Sequence, residues 1–240
     1  NQRFHATVAR AVAAAREGWL VTIGITPTHA SSGFGYIRQG LELADLPAGL
    51  RGVHRVVEFV EKPSVSVAQR YLVSGEYRWN AGMFVVQPTV LLDLLAAQDA
   101  DFAATLRAIA AEPDRLGELW ERLPRIAIDH AVAEPAAAAG RVAMVPGDFG
   151  WEDVGDFDSL ASLLGEDCHV SVLGSSTHVE TVDASGLVVP GGDRVVAVIG
   201  LDDIVVVDTP DALLVTRRDR AQDVKAIVAR LREQGRSDLI

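Results

Sequence analysis

A chain of 240 residues, 49% of them hydrophobic, can bury one large core or a medium core beside a small one. Its 22 Lys and Arg against 33 Asp and Glu leave a formal charge of -11, which excludes a broad nucleic-acid surface because phosphate backbones are bound by clustered cations. A single cysteine, Cys168, permits neither an internal disulfide nor a multi-cysteine zinc site, and no run approaches the roughly 18 apolar residues that cross a bilayer.

Together these features predict a chain of the cytosol, off the membrane, that must grip any anion locally. In chain order, Phe4, Val8, Ala11, Val12 and Ala15 form the stripe of an amphipathic helix, which begins without a methionine or a signal peptide and reads as the interior of a domain. Leu20–Ile25 reads as a buried strand, and Gly33–Ile37 as a turn leading into another. Val53–Glu61 is a strand closed by Lys62-Pro63, followed by Ser64 or Ser66 as the cap of a helix carrying Val67, Ala68, Tyr71 and Leu72. Gly82–Val86 is a further strand, Thr89 to about Arg122 is largely helical, and Val142–Val145 returns to the sheet. Asp156 caps a helix bearing Phe157, Leu160, Leu163 and Leu164.

A domain boundary is expected near Gly165, dividing the chain into 1–165 and 166–240. Beyond it, short apolar runs at Leu187–Val189, Val195–Ile199, Ile204–Val207 and Leu213–Val215 alternate with Gly and Asp turns, as stacked strands of a β-solenoid do. Ala221, Val224, Ile227, Val228 and Leu231 form the stripe of a closing helix.

Four clusters place polar or glycine residues at the mouths of predicted strands, where open α/β sheets bind ligands. Gly35, within Gly33-Phe34-Gly35-Tyr36, lets a backbone N–H approach a ligand, or belongs to an ordinary turn. The Glu61 carboxylate can accept two sugar hydroxyls and the Lys62 ammonium can neutralise a phosphate, or the pair is a solvated strand end. Asn80, followed by Gly82, offers both donor and acceptor to a sugar hydroxyl, or is a turn asparagine. Asp153 lies in the glycine-bounded loop Gly150–Gly155 that Trp151 can anchor; a single loop carboxylate suffices for magnesium, whose remaining ligands come from phosphates and water. A capping role is the alternative, but Asp156 already fills it. The six histidines are scattered, and no Ser, His or Cys triad spacing is present.

Through Gly33–Ile37, Val60–Pro63, Trp79–Phe84, Ile128–Glu134 and Gly150–Gly155, in that order, the chain resembles the mannose-1-phosphate guanylyltransferases nearly from end to end, including Val205–Val215 and Ala221–Lys225 in its tail. The resemblance implies an α/β fold: a Rossmann-like nucleotidyltransferase domain followed by a small left-handed β-helix and a C-terminal helix. It also implies the reaction of GTP with mannose 1-phosphate to give GDP-mannose and pyrophosphate, Mg²⁺ as cofactor and a homodimer. Gly35 would then contact the sugar through its backbone, Glu61 would hold mannose hydroxyls, Lys62 would pair with the sugar phosphate, and Asn80 and Gly82 would line the pocket. Asp129 would add to its wall, and Asp153 would bind the metal. Another sugar-1-phosphate nucleotidyltransferase, or a non-catalytic sugar-phosphate-binding subunit, is the alternative.

The family opens with Gly-x-Gly-x-Arg-x-x-Pro, which cradles the nucleotide phosphates, and with an early Asp that supplies a second magnesium ligand; this chain contains neither. Both are expected upstream of Asn1, with the base-reading residues, and the chain alone is expected to be inactive. Pro135 stands where the family commonly has a basic residue.

Overall fold

The computed structural model describes residues 1–44, 46–47, 50–165 and 169–239, so Cys168 lies outside the described residues. The chain forms two compact units, Asn1–Trp151 and Glu152–Ile240. The expected division near Gly165 thus differs from the observed one. The reason lies in α7 (Phe157–Leu164), whose Ala161, with Phe157 and Leu160, packs on Leu187 and Val205 of the second unit.

The first unit is built on five strands, β1 (Leu20–Ile25), β2 (Gly35–Glu42), β3 (His54–Val60), β4 (Tyr77–Val85) and β5 (Val142–Gly147). They pair in the order β1-β4-β2-β3-β5, and a short β3–β5 ladder with the parallel β5–β1 pair closes the sheet on itself. Every other pairing in this sheet is antiparallel. Around it lie α1 (Gln2–Arg16), α2 (Val65–Ser74), α3 (Pro88–Ala96), α4 (Ala100–Ala111), α5 (Leu116–Trp120) and α6 (Glu134–Ala138).

The amphipathic stripe predicted for α1 buries Ala11, Ala14 and Ala15 against Val21 of β1 and against Ala143 and Val145 of β5, all three of which are fully buried. Alanine on the helix face lets α1 lie close to the sheet. The predicted helical stretch from Thr89 to Arg122 is broken into α3, α4 and α5. Asp99 caps α4 by accepting the Phe102 N–H at 2.8 Å, and Pro113 cannot continue it. Ser64 stands at the cap position of α2 but makes no capping bond; its hydroxyl meets that of Ser66 at 3.2 Å instead.

The second unit alternates between two small sheets. β6 (Val170–Val172), β8 (Gly186–Val189) and β10 (Ile204–Asp208) pair in parallel, and so do β7 (Val179–Val182) and β9 (Val196–Ile199). Successive strands therefore stack as rungs, with Val188, Val196, Val198, Ile204 and Val206 turned into a common core. This is the predicted solenoid, with two rungs, β6 and β7, that the apolar pattern does not single out. Leu213–Val215 is corrected: β11 (Leu213–Arg217) is no further rung but folds back antiparallel on β10. The turn between them is fixed by the Thr209 hydroxyl, which donates to Asp211 and to the Ala212 carbonyl at 2.8 and 2.9 Å. The closing helix α8 (Val224–Glu233) begins after Ala221, which lies in a preceding 3-10 segment, and none of its residues is fully buried. Among the described residues no helix is long and apolar enough to cross a membrane.

Candidate functional site

Strand register brings the first three clusters to one level of the sheet. β2 and β3 run antiparallel with Tyr36 opposite Val60, so Gly35, which opens β2, and Glu61, which follows β3, meet at the same end. On its other side β2 places Gly35 opposite Asn80 of β4, and β1 places Gly24 opposite the same asparagine. Asn80 is therefore inside a strand, not in a turn before one. The expectation of a strand starting at Gly82 is corrected accordingly: β4 passes through it, with a bulge between the Thr22–Phe84 and Gly24–Asn80 pairs. Gly82 takes a φ of +67° within that bulge.

Gly35 is needed for close approach. A Cβ there would stand 2.5 Å from Glu61 Oε2 and 3.3 Å from Asn80 Cβ, so the missing side chain is the space in which the carboxylate sits. Glu61 Oε1 pairs with Lys62 Nζ at 3.3 Å, and the Glu61 N–H donates to Glu134 Oε1 at 3.4 Å. The Lys62 side chain is 65% exposed whereas that of Glu61 is 16% exposed, so the ammonium is available to an incoming anion while the carboxylate is held. Lys62 has a φ of +46°, a left-handed conformation that costs an L-residue roughly 1–2 kcal/mol, and it is followed by proline, which disfavours it further.

Asn80 is buried and its amide is almost fully engaged. Oδ1 accepts the Thr22 hydroxyl at 2.7 Å and the Gly82 N–H at 3.2 Å, and Nδ2 donates to Asp129 Oδ1 at 3.1 Å. The expected use of both amide atoms on a ligand is thereby narrowed to the remaining N–H. Asp129 opens a turn of π-helix, Asp129–Ala133, a form that recurs at functional sites. Within it His130 Nδ1 lies 3.0 Å from Glu134 Oε2.

The hydrogen bond that the protonated ring donates to Glu134, followed by the charge of Glu134 and those of Glu61 and Asp129, holds the His130 pKa above its ordinary 6.5. Because the folded value is raised, the resulting stabilisation is complete below the unfolded pKa and disappears as pH rises through the folded one. It is small, since the ring is exposed and screened. The His130 ring protons are expected to titrate above pH 6.5 by NMR, and Glu134→Gln to bring the midpoint down; an unmoved midpoint would remove Glu134 as the cause.

An aromatic group not foreseen from sequence backs this level of the sheet. Trp79 is edge-on to His29 at 4.8 Å and to Phe34 at 4.9 Å, and Trp151 reaches Phe34 at 5.6 Å. Trp151 thus anchors the start of its loop by packing, as expected. Thr22 also escapes the sequence reading, although a hydroxyl inside the apolar run Leu20–Ile25 is a visible signal. Glu134 enters there only as part of a motif.

Asp153 belongs to the second unit, where it is exposed. Asp156 caps α7 as expected, accepting Ser159 N–H and the Ser159 hydroxyl, each at 2.8 Å. Burial alone would raise its carboxyl, but the hydrogen bonds from Ser159, Gln222 and the Asp158 N–H outweigh burial and hold it below the usual carboxylate range. That occupation leaves Glu152 and Asp153 as the exposed carboxylates of the loop. Among the described residues no three Asp, Glu, His or Cys side chains gather as a metal cage. Exposed loop carboxylates without such a cage fit magnesium shared with substrate phosphates, and do not fit a dedicated protein site.

Known proteins resemble the chain over nearly its whole length. The alginate biosynthesis protein AlgA of Pseudomonas aeruginosa is 37% identical over 245 residues, covering 99% of this chain and 49% of that protein. The mannose-1-phosphate guanylyltransferase of Escherichia coli is 37% identical over 250 residues, covering 98% and 49%. The chain thus spans about half the length of the curated relatives it matches. The crystal structure of mannose-1-phosphate geranyltransferase from Thermus thermophilus superposes with a TM-score of 0.78 at 31% identity, covering 96% of this chain and 65% of the other. Residues 176–231 match the MannoseP isomerase/GMP-like beta-helix domain, which accounts for the stacked rungs of the second unit. Residues 1–168 match the nucleotidyl transferase family, and the chain belongs to it.

Proposed function

We propose that the chain serves the transfer of a guanylyl group from GTP to mannose 1-phosphate, giving GDP-mannose and pyrophosphate. The observation that carries the sugar-phosphate half is the convergence of Gly35, Glu61, Asn80 and Asp129 beside Lys62, with the Glu61 carboxylate seated where a Gly35 side chain would be. The Escherichia coli relative, a mannose-1-phosphate guanylyltransferase, suggests the sugar and the base.

In this reading Glu61 accepts hydroxyl protons of the sugar, and the free N–H of Asn80 donates to a sugar oxygen. Lys62 exchanges its contact with Glu61 for the sugar phosphate, as a point charge suited to that anion. Two anions must meet in line, so what the residues contribute is neutralisation and alignment, and no covalent enzyme intermediate is required. Asp153 would hold Mg²⁺, which when bound supplies charge stabilisation at the α-phosphate. A cytosolic setting and a homodimer belong to the same proposal.

The test is pyrophosphate release by the protein expressed from its whole reading frame, supplied with GTP, mannose 1-phosphate and Mg²⁺. Turnover is expected, and Asp153→Asn is expected to lose at least about tenfold in rate with its fold intact. Good turnover with UTP or dTTP and glucose 1-phosphate, beside none with GTP and mannose 1-phosphate, would assign a sister activity instead. An Asp153→Asn protein that works normally at limiting Mg²⁺ would remove the metal role.

A further inference from the structure

We propose that Thr22 is a positioning residue that holds the Asn80 amide in place at the sugar pocket, and thereby favours ligands carrying a free hydroxyl at that point. The inference rests on the sugar-phosphate reading above and deepens it.

Thr22 lies in the middle of β1, fully buried, and its hydroxyl donates to Asn80 Oδ1 at 2.7 Å. The same oxygen accepts the Gly82 N–H at 3.2 Å. A flipped amide would turn its NH₂ toward that N–H, and two donors cannot satisfy each other. Gly82 and the Asp129 carboxylate therefore set the orientation of the amide, and the Thr22 hydroxyl, which can donate or accept, ties it to β1. Of the two amide protons, one goes to Asp129 Oδ1 at 3.1 Å, which leaves one to donate.

The consequence is chemical. The site presents one donor, Asn80 Nδ2, in company with two carboxylate acceptors, Asp129 and Glu61. A hydroxyl satisfies both kinds of partner because it donates and accepts at once. A deoxy sugar leaves them unpaired, and sites built around a hydroxyl reject the analogue lacking it strongly. Thr22 contacts no ligand in this scheme. It acts through Asn80, and the β4 bulge brings that oxygen within its reach although Thr22 itself pairs with Phe84.

The experiment compares wild-type protein with Thr22→Val and Thr22→Ser. Mannose 1-phosphate affinity is measured by calorimetry, and the Asn80 side-chain N–H signals are followed by ¹⁵N NMR. Thr22→Val, which keeps the shape and loses the donor, is expected to weaken binding roughly tenfold and to shift the Asn80 signals, the size expected for one buried hydrogen bond. Thr22→Ser is expected to restore both, which a purely packing role would not do. Should Thr22→Val fail to fold, Thr22→Ala gives the same comparison. Unchanged Asn80 signals without the hydroxyl, or a serine variant as weak as valine, would overturn the role of Thr22. Wild-type protein that does not bind mannose 1-phosphate would count against the proposed function, while the NMR comparison would still decide for or against the hold of Thr22 on Asn80.

Discussion

Gly35→Ala is expected to weaken mannose 1-phosphate binding by about a hundredfold while leaving the melting midpoint almost unchanged. The two effects separate because of what the new Cβ would meet. It would stand 2.5 Å from Glu61 Oε2, the far end of a flexible side chain, and 3.3 Å from Asn80 Cβ. The carboxylate can swing away at little cost to the fold, and alanine also restricts the unfolded chain, which offsets part of that cost. The ligand loses more. Hydrogen bonds to a charged group contribute about 1.5–3 kcal/mol each, so displacing an acceptor of two hydroxyls removes about 3 kcal/mol or more. Calorimetry and thermal melting on the same preparation check the pair. Unaltered affinity would mean that Glu61 does not hold the sugar, and a collapsed midpoint would mean that Gly35 serves packing.

Gly186→Ala should do the reverse, destabilising the second unit by about 3 kcal/mol or more. Gly186 has a φ of +130°, which L side chains rarely adopt. Its Cβ would lie 2.6 Å from the Ile204 nitrogen and closer still to the Ile204 carbonyl oxygen. These are backbone atoms of β10, paired in parallel with Gly186 itself, and they cannot rotate away. Behind them Leu187 and Val205 are fully buried, so the strands cannot part without exposing core. Urea unfolding with an unchanged slope and a lower midpoint is the expected result. A variant as stable as wild type would mean that the β8–β10 pairing is not as described.

Much of this is legible in the amino-acid sequence alone. Periodicity yields α1, β1 and the rungs β8, β9 and β10, because each is a regular apolar pattern bounded by turn residues. The ordered motifs point to Gly35, Glu61, Lys62, Asn80 and Asp129, since the type of chemistry a residue can do is written in its side chain. Position is harder. Asn80 reads as a turn residue because Asn and Gly at 80 and 82 are turn formers, whereas here they accommodate a bulge inside β4. Thr22 is invisible as a partner because its contact with Asn80 crosses 58 residues and depends on that bulge. β11 reads as a rung because an edge strand that folds back has the same apolar pattern as one that stacks; only pairing direction separates them. The nucleotidyl transferase match ends at residue 168, near the expected division, whereas packing assigns α7 to the second unit. An amphipathic helix buries its stripe against whichever core it meets, and its sequence does not say which.

The backbone at Lys62 has one more implication. A left-handed residue before proline would be easier to build with glycine, and this sequence has lysine there. Resistance to unfolding and the proposed capture of an anion therefore favour different residues at position 62. Selection of variants by heat alone would drift toward the smaller residue, and a library screened that way would become sturdier as it lost the ammonium at this position.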